Sequence, residues 1–372
     1  MTQSVGIRGA GVAGLSLAQA LLRRAPNIRV TIFDRRPRLP HPTRTFCFFD
    51  DGRLPSGLEP DHAWARVRFS GRGFSRAVSC EGAPYSLVRG ESFFAGALAE
   101  LEQRGAELRW ECGSVELEKG AVKVGSERME FDLVVDAAFE PEGQRPILWQ
   151  SFAGLWVRSQ CDCFDPEEAL LMDLGESSSD APVSFVYVLP TSRRLALIEH
   201  TTFSHERLPV ERHLAAAHAW AADRGLPQLV VDETESGAIP MGLPFTVNRA
   251  GPLQIGSAAG AIRAATGYAF QSILRQAEGV AEQVNSRLIG GEKGALAAPE
   301  TTPPWMRFGD AIFLKTLARA PLQGSVLMER LLSRAPDRQL LSFLGGGASF
   351  LDALSVMRCV PKGPMLRTLC LG

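Results

Sequence analysis

The chain has 372 residues, of which 45% are hydrophobic and 22% charged, both ordinary values for a globular protein. Its length predicts two intergrown domains rather than one small core. The net charge of −1 disfavours nucleic acid as a partner, because phosphate binding needs a large positive excess. No apolar run reaches the roughly 18 residues of a membrane span. The seven scattered cysteines indicate reduced thiols in a cytoplasmic setting and no metal site.

The N-terminal segment has the pattern of a strand, a helix and a second strand. Val5–Arg8 predicts a short strand, a helix follows from about Ala13 to Arg24, and Arg29–Asp34 predicts the next strand. Three prolines then end that strand and open a loop. Arg8 is an unusual residue inside a central strand, and the sequence offers no reason for it.

The turn between the first strand and its helix is glycine-rich. In Gly9-Ala10-Gly11-Val12-Ala13-Gly14, the first glycine permits the tight turn, the second lets a pyrophosphate approach the backbone, and the third lets the helix pack on the strand. The free N–H groups and the dipole at the helix start favour phosphates. Asp34 ends the second strand 20 residues after Gly14, where a carboxylate accepts hydrogen bonds from an adenosine ribose. These features predict dinucleotide binding, against the alternative of an incidental glycine-rich turn.

The next part of the chain predicts short strands around one helix. Glu91–Arg104 is predicted to be helical, because Phe94, Leu98 and Leu101 fall on one face. A small meander is predicted from three short segments: Leu108–Trp110, Val115–Leu117 and Ala121–Val124. Separate strands are predicted at Arg66–Phe69, Tyr85–Val88 and Phe131–Asp136.

The middle of the chain is rich in predicted strands, and the tail in predicted helices. Phe185–Leu189 and Leu195–Thr201 predict a hairpin around a polar turn. Later elements follow in order: a helix over Glu211–Arg224, a strand over Leu253–Gly256, a largely helical segment over Gly267–Leu288, a surface loop over Gly290–Pro304 and an apolar helical tail from Trp305.

A second glycine element, Ile255–Gly260, favours FAD over NAD. In two-dinucleotide-binding-type flavoproteins a late strand and glycine turn return to the cofactor, whereas NAD dehydrogenases do not usually need one. Alone, this element is equally compatible with an ordinary strand-to-helix turn. Arg35 would suit a 2′-phosphate, but Asp34 would repel it.

Dinucleotide-binding pieces at both ends of the chain indicate that the sheet-rich middle is an insertion. The predicted fold class is α/β: a two-dinucleotide-binding-type Rossmann FAD domain, an inserted mixed β-sheet substrate domain and a helical C-terminal tail. The predicted boundaries are 1–62 with 91–148 and 250–290 for the FAD domain, 63–90 with 149–249 for the β-rich domain, and 291–372 for the helical region.

Several segments, in order along most of the chain, resemble one family. They are Arg44–Asp51 after the first βαβ unit, Trp149–Gly154, Leu171–Asp173, the hairpin Phe185–Pro190 with Leu197–Ser204, the turn Ile239–Gly242, and Gly256–Gly260 with Ala265–Tyr268. With these segments the chain resembles the lycopene cyclases, flavoproteins that convert a linear carotenoid into one with ionone rings. The resemblance implies that FAD acts in its reduced form without net redox turnover.

The predicted cofactor contacts combine the two glycine elements with residues of the resembling segments. Thr266 and Gly267 are expected to begin a helix beside the flavin, with exposed N–H groups facing the pyrimidine edge. The complete set is Gly9, Gly11, Val12, Ala13, Gly14, Asp34, Arg35, Arg44, Val115, Asp136, Gly256, Ala259, Gly260, Thr266 and Gly267.

Glu199 is the main catalytic candidate. It lies on the same strand face as Leu195 and Leu197, and a carboxyl in an apolar wall has a raised pKa and can exchange protons. The alternative is a strand-end glutamate that reaches water or pairs with Arg193 or Arg194. The resemblance favours the catalytic role, because this residue matches the family's hairpin glutamate.

Other side chains were assigned to the same reaction chamber. His200 and Tyr268 are further catalytic candidates, although His200 points to the opposite strand face and is equally suited to the core. Aromatic faces stabilise a passing carbocation but are also common core residues. The predicted lining residues are Trp149, Phe152, Tyr187 and Phe270.

The sequence departs from the family pattern near the predicted chamber. Arg263-Ala264-Ala265 replaces a His-Pro pair, His200 replaces an acidic residue, and Ala137 replaces a glycine. Two alternatives to a cyclase therefore stay open: a redox flavoenzyme such as a monooxygenase, reductase or halogenase, and a flavin-binding partner without its own reaction. The expected partners are an apolar small-molecule substrate, an external reductant such as NAD(P)H, and a weak peripheral contact with a membrane.

Overall fold

The computed structural model describes residues 3–38, 43–55, 57–140, 144–226, 228–243, 251–290 and 296–370. Within these ranges the strands are β1 (Ser4–Arg8), β2 (Arg29–Phe33), β3 (Thr45–Phe49), β4 (His62–Trp64), β5 (Arg66–Gly71), β6 (Phe74–Ser79), β7 (Tyr85–Arg89), β8 (Glu107–Arg109), β9 (Val115–Glu118), β10 (Ala121–Val124), β11 (Glu127–Glu130), β12 (Leu133–Asp136), β13 (Leu148–Ser159), β14 (Glu168–Leu174), β15 (Val183–Pro190), β16 (Leu195–Ser204), β17 (Leu229–Met241) and β18 (Leu253–Gln254). The helices are α1 (Val12–Arg24), α2 (Gly90–Gln103), α3 (Val210–Asp223), α4 (Phe270–Gly290), α5 (Pro304–Arg319), α6 (Gly324–Arg334), α7 (Asp337–Gly345), α8 (Phe350–Met357) and α9 (Lys362–Cys370).

A five-stranded parallel sheet carries the N-terminal glycine turn. Its order is β18-β12-β1-β2-β8, so the strand from late in the chain joins the N-terminal βαβ unit. Helix α1 is rich in alanine and leucine, and its buried face packs against α4 and α2. The carboxyl ends of β1, β2 and β12 consequently meet at one edge, where open parallel sheets bind their ligands.

The predicted meander is correct in kind but wrong in one strand. Leu108–Trp110 falls on β8, which pairs with β2 at the edge of the parallel sheet. The meander is instead β9-β10-β11, with Glu127–Glu130 as its third strand. Short strands of similar pattern can join either sheet, because only the tertiary pairing distinguishes them.

A seven-stranded sheet, in the order β17-β13-β16-β15-β14-β5-β6, forms the centre of the molecule. Side chains alternate between its two faces. The outer face packs Leu155, Val157 and Ile198 against Ala217 and Ala221 of α3. The inner face packs against the sheet β3-β7-β4 and the C-terminal helices, in the largest hydrophobic cluster. The predicted α/β class with mixed sheet and helical tail is confirmed.

A buried ion pair ties the C-terminal helices to the loop before α4. The guanidinium of Arg263 donates to the carboxylate of Asp310 on α5, with Nε–Oδ2 and Nη2–Oδ1 distances of 3.2 and 3.3 Å. It also donates to the carbonyl oxygens of Phe343 and Leu344 at the end of α7. Arg263 therefore connects three segments of the fold.

Replacing Arg263 by Met should strongly destabilise the protein. The change leaves the Asp310 carboxylate, whose side chain is 2% exposed, without its cation. Breaking a buried pair in this way costs about 3–5 kcal/mol. Urea unfolding curves should show the loss, whereas Arg128→Met, which breaks exposed ion pairs on the meander, should leave the curve unchanged. Equal stability of Arg263→Met and the wild type would contradict this role.

No single helix in the described part of the chain is both long and apolar enough to cross a membrane. Helices α7 and α8, which are bent by 112° relative to each other, together have the length and apolar composition of a membrane span. Length and composition are the only features that suggest this.

Candidate active site

The first glycine turn is built as the motif predicts. Gly9 has φ +102°, in the region that favours glycine, and its N–H donates to the carbonyl of Phe33. A Cβ on Gly14 would lie 1.9 Å from the carbonyl oxygen of Gly9, so only glycine lets α1 pack this closely on the turn. A Cβ on Gly11 would meet no atom within 4 Å. The turn thus leaves open space at the N-terminus of α1, where Val12 and Ala13 begin the helix.

Asp34 lies buried at the end of β2, as predicted, but it already has partners within the chain. Its Oδ2 accepts from the N–H of Ala10 at 2.6 Å and from Nη2 of Arg36 at 2.8 Å. Its Oδ1 accepts from the backbone N–H and the Nε of Arg36. Because four donors use the lone pairs of this carboxylate, a ribose hydroxyl reaches it only when the half-exposed Arg36 side chain moves aside.

Arg8, unexplained in the sequence, has a structural partner. Its guanidinium binds Asp136 at the end of β12 in a bidentate pair, with N–O distances of 3.0 and 2.7 Å. Its Nη1 also donates to the carbonyl of Val115, and so fastens the meander to the parallel sheet. Asp136 and Val115 were predicted to contact the cofactor, and the structure places both in this network at the ligand-binding edge.

The two predicted arginine contacts lie on the surface. Arg35 forms an exposed ion pair with Glu140. Arg44 is also exposed, just before β3, and its carbonyl accepts a hydrogen bond from Gly90. The cofactor contacts of Arg35 and Arg44 therefore stay predictions.

The second glycine element lies directly beside the first. A Cβ on Gly256 would come within 2.6 Å of the Cβ of Ala13, so the two glycine turns touch. The side chain of Gln276 on α4 holds the second turn, accepting from the N–H of Gly256 and donating to the carbonyl of Ala259. Gly260 then ends the 3₁₀ turn Gly256–Ala259.

The predicted helix start at Thr266 and Gly267 is wrong. Helix α4 begins at Phe270, and the N–H groups of Thr266 and Gly267 both point to the carbonyl of Arg263. Both N–H groups therefore already have a partner within the chain, and the contact of these two residues with the cofactor stays a prediction. The tight loop instead brings Gly267 against Gln150 of β13, where a Cβ would lie 2.3 Å from the amide oxygen.

Gln150 is a candidate site residue that the sequence patterns did not single out. Its amide oxygen is buried and has no hydrogen-bond partner among the described residues. A buried acceptor without a donor is costly, and such a group commonly faces a ligand. Its place in the segment Trp149–Gly154, which carries part of the family resemblance, was the available signal.

The residues present fit FAD. Open space at Gly11 and the helix N-terminus suit the pyrophosphate, and Asp34 lies at the ribose end. Gly256 brings the late glycine turn to the same edge. The unpaired amide of Gln150 lies beside Gly267, in the direction of the β-rich domain.

Glu199 lies on the inner face of the seven-stranded sheet and is 9% exposed. Its strand neighbours in register are Gly154 on β13 and Tyr187 on β15. The hydroxyl of Thr201 donates to its Oε1 at 3.1 Å. Burial and then the nearby charge of Glu235 raise the pKa of Glu199 well above its usual range. The alternative of a strand-end glutamate paired with Arg193 or Arg194 is wrong, since both arginines lie on the exposed turn.

Glu235 is a second buried carboxyl that the sequence analysis did not identify. It is 6% exposed on β17, where its Oε2 accepts from the hydroxyl of Thr45 at 2.6 Å and from the indole N–H of Trp156 at 3.4 Å. Burial raises its pKa, and the hydrogen bonds from Thr45 and Trp156 oppose that shift. The residues around it, Glu233-Thr234-Glu235-Ser236, look like an exposed polar strand, so hydropathy gave no signal.

An apolar cavity lies between the inner sheet face and the C-terminal helices. Tyr187, Thr266 and Tyr268 contribute to the wall. The remaining walls are almost entirely apolar and come from the sheet, from the loop before α4, and from α5 to α8: Met172, Phe203, Ala265, Phe313, Met328, Leu331, Phe343, Leu344 and Met357. Glu199 is not itself in this wall but neighbours Tyr187 in the sheet.

Two predicted chamber residues, Phe152 and Phe270, lie outside the cavity wall. Phe152 is half-buried, with its ring against Gly237. Phe270 is in the core of the parallel-sheet domain, where its ring stacks on Phe46 and Phe48 with centroid distances of 4.7 and 5.4 Å.

The structure does not bring Trp149 or His200 to the cavity. Strand alternation places both on the outer face, where Arg207 covers the Trp149 ring at 4.0 Å. His200 bonds to Ser184 and to His213 of α3, each at 2.9 Å. Burial and the charge of His213 lower the pKa of His200 to about 4. His200 is therefore a neutral histidine packed between the sheet and α3, away from the cavity, and its catalytic role stays a prediction without support from its position.

The parallel sheet, the two touching glycine turns and the apolar cavity beyond them define an α/β flavoprotein of the two-dinucleotide-binding type. The chain belongs to the lycopene cyclase protein family, whose sequence model matches residues 5–370. This finding confirms the resemblance and, at the level of fold and family, FAD as the cofactor.

Known proteins similar to the chain agree with this assignment. It is 26% identical to a lycopene beta-cyclase of Paracoccus sp. over 99% of both chains. A geranylgeranyl bacteriochlorophyll reductase-like protein of Thermoplasma acidophilum matches with a TM-score of 0.64 and 16% identity over 100% of both chains. A variant of the halogenase PltM in complex with FAD matches with a TM-score of 0.58 and 13% identity, over 96% of this chain and 91% of that one. The two structural likenesses show the fold alone.

Proposed function

We propose that the protein cyclises an apolar linear polyene of the lycopene type, with reduced FAD and without net redox change. The observation that carries the proposal is Glu199, a buried carboxyl with a raised pKa whose strand neighbour, Tyr187, lines the apolar cavity. A neutral carboxyl in an apolar setting is the kind of acid that can protonate an alkene.

Each group of residues at the site has a separate role in an acid-catalysed cyclisation. Glu199 gives its proton to a terminal double bond, and the apolar walls exclude water that would capture the resulting cation. The aromatic faces of Tyr187 and Tyr268 stabilise positive charge along the polyene. When bound, reduced FAD supplies an electron-rich ring that adds negative potential to the site. Loss of a proton from the ring carbon then completes the isomerisation.

The cofactor is proposed to lie along the edge where the glycine turns meet. Gly11 and the start of α1 hold the pyrophosphate, and Asp34 accepts from the ribose once the Arg36 side chain moves aside. Gly256 and Gln276 shape the second side of the groove, and Gln150 offers its unpaired amide oxygen toward the ring end.

The direct test is incubation of the FAD-loaded, reduced protein with lycopene in detergent micelles, followed by chromatography and mass measurement of the carotenoids. A cyclase gives a product of unchanged mass and consumes no NAD(P)H per turnover. A product with added oxygen, halogen or hydrogen, formed with matching NAD(P)H consumption, would assign the protein to the redox alternative.

We also propose that the C-terminal helices contact an anionic membrane surface, from which an apolar substrate could enter. Leu351 is 75% exposed on α8, with Phe350, Leu354 and Arg358 also exposed on that helix or at its end. Phe308 is 64% exposed on α5, whose Trp305 ring contacts Phe350. Residues 296–370 carry nine Lys and Arg against five Asp and Glu, in a chain of net charge −1. An apolar patch in a basic region suits the surface of an anionic bilayer.

The double change Leu351→Glu and Leu354→Glu should weaken binding to vesicles of anionic phospholipid. It places carboxylates on the face proposed to enter the headgroup region. Vesicle flotation measures the bound fraction, and Val230→Glu, at an exposed apolar site on β17, is the matched control. Equal flotation of the double variant and the wild type would reject this contact surface.

A further inference from the structure

Two buried carboxyls flank one glycine in the large sheet. Gly154 on β13 is the register partner of Glu199 on β16 and of Glu235 on β17. All three therefore point to the same, inner face. Strands β16 and β17 lie on either side of β13 and are about 10 Å apart. Only Gly154, which has no side chain, lies between the two glutamates.

Gly154 keeps this space free. A Cβ at position 154 would lie 2.7 Å from the side chain of Leu197 and 3.1 Å from the Cβ of Glu199. Any larger residue would therefore displace Glu199 and separate it from Glu235. The sheet is built so that the two carboxyl groups can interact across position 154.

Glu235 accepts hydrogen bonds from more side chains than Glu199 does. Glu235 accepts from Thr45 and Trp156, and the Arg89 guanidinium that lies 4.3 Å above the Trp156 ring adds positive charge nearby. Glu199 has the hydroxyl of Thr201 as its donor. Donors and a nearby cation favour the charged form of a carboxyl, so Glu235 is the better site for the negative charge.

We propose that Glu199 and Glu235 hold one proton between them, carried by Glu199, with Glu235 as the permanent carboxylate. Glu235 is then a positioning residue: its charge keeps Glu199 in the acid form. The pairing itself rests on geometry, while its role in catalysis rests on the cyclase function proposed above. Two like charges this close in an apolar site are not both ionised at neutral pH.

In the proposed reaction the carboxyl pair donates one proton and later regains one. The O–H bond of Glu199 breaks as a C–H bond forms at the terminal alkene carbon, leaving a carbocation. The π electrons of a second double bond form the ring C–C bond and move the cation. A neighbouring C–H bond then breaks, its electrons form the ring double bond, and its proton returns to the carboxyl pair. The pair ends with the single proton it had at the start, and no oxidant or reductant is consumed.

The surrounding titratable groups support one charge on the pair. The thiol of Cys47 on β3 and the phenols of Tyr85, Tyr187 and Tyr268 have pKa values raised chiefly by burial, so these four groups are neutral. Three exposed or half-buried charged groups lie further out on the side of Glu235: Arg44, Arg89 and Glu233. Arg44 and Arg89 favour the negative charge on Glu235, whereas Glu233, which pairs with Arg89, opposes it.

Infrared spectroscopy of the FAD-loaded protein tests the shared proton without any substrate. A protonated carboxyl has a carbonyl stretch that shifts in D₂O, and we expect one such buried group at neutral pH. Glu199→Gln should abolish this band, because the variant lacks the carboxyl that carries the proton and Glu235 stays ionised with its donors Thr45 and Trp156. Glu235→Gln should keep the band but move its loss to lower pH by about one unit or more, since a repelling charge is removed.

The pH profile of cyclisation gives the second measurement. In Glu235→Gln the alkaline limit of activity should move to lower pH in parallel with the infrared band. The amide oxygen still accepts from Thr45 and Trp156, so FAD content and melting temperature should be retained. Asp232→Asn, a carboxyl-to-amide change at an exposed ion pair with Arg158 where the register of the same strand shifts, should change neither profile.

The outcomes separate this proposal from the proposed function. A band of full intensity in Glu199→Gln, or a band that titrates at the wild-type pH in Glu235→Gln, overturns the shared proton. If wild-type protein shows the expected band and its shifts but yields no cyclised product, the carboxyl pair stands and the cyclase function fails.

Discussion

Replacing Glu199 by Gln should lower turnover by about a hundredfold to ten-thousandfold, the usual loss when acid–base catalysis is removed. Glutamine keeps the size of the side chain and can still accept from Thr201, but it has no proton to give. FAD content should be unchanged, because Glu199 lies on the inner face of the seven-stranded sheet and not at the glycine turns. The measurement is the rate of cyclised product formed by the reduced holoprotein.

Two controls make the Glu199 experiment specific. Asp232→Asn makes the same chemical change at an exposed ion pair with Arg158 on β17 and should leave turnover at the wild-type rate. A melting curve of Glu199→Gln establishes that any loss is not unfolding. Unchanged turnover in Glu199→Gln, with a native melting curve, would remove the main chemical support for the cyclase proposal.

Replacing Gly11 by Val should abolish FAD binding while the protein still folds. A side chain at this position meets no atom of the protein within 4 Å, so it creates no clash in the fold itself. It does fill the space before the N-terminus of α1, which the cofactor pyrophosphate needs. Titration of the apoprotein with FAD, followed by flavin fluorescence, measures the affinity. The rise in melting temperature that FAD gives the wild type should also disappear.

Gly96→Val is the matched control for Gly11→Val. Position 96 is also open, with no atom within 4 Å of an added Cβ, but it lies on the exposed side of α2. This variant should bind FAD as the wild type does. Full affinity in Gly11→Val would place the pyrophosphate elsewhere and would invalidate the assignment of the first glycine turn.

The features that the sequence alone determined are local ones. The first glycine turn, α1 and the position of Asp34 follow from residues within about thirty positions of one another, and each could be predicted because its geometry depends on steric limits and short-range hydrogen bonds. The hairpin β15–β16 and the inward direction of Glu199 follow from alternation along a strand. The family also could be predicted, because its segments lie in order along most of the chain.

The remaining features depend on which distant segments pair. Glu235 looked like part of a solvated polar strand, and only its register with Gly154 brings it beside Glu199. Arg8 is satisfied by Asp136 through the pairing of β1 with β12, and Arg263 by Asp310 of a C-terminal helix. A charged residue in the interior is tolerated only with its partner, and no short-range pattern identifies a partner more than forty residues away.

The same reason explains the different positions of two neighbouring catalytic candidates. Glu199 and His200 are adjacent in sequence and equally polar, but strand alternation sends one toward the cavity side and the other toward α3. The sequence determined that they point in opposite directions. Only the packing of α3 on one face, and of the helices α5 to α8 on the other, decided which direction is the candidate active site, because burial of a sheet face is set by what covers it.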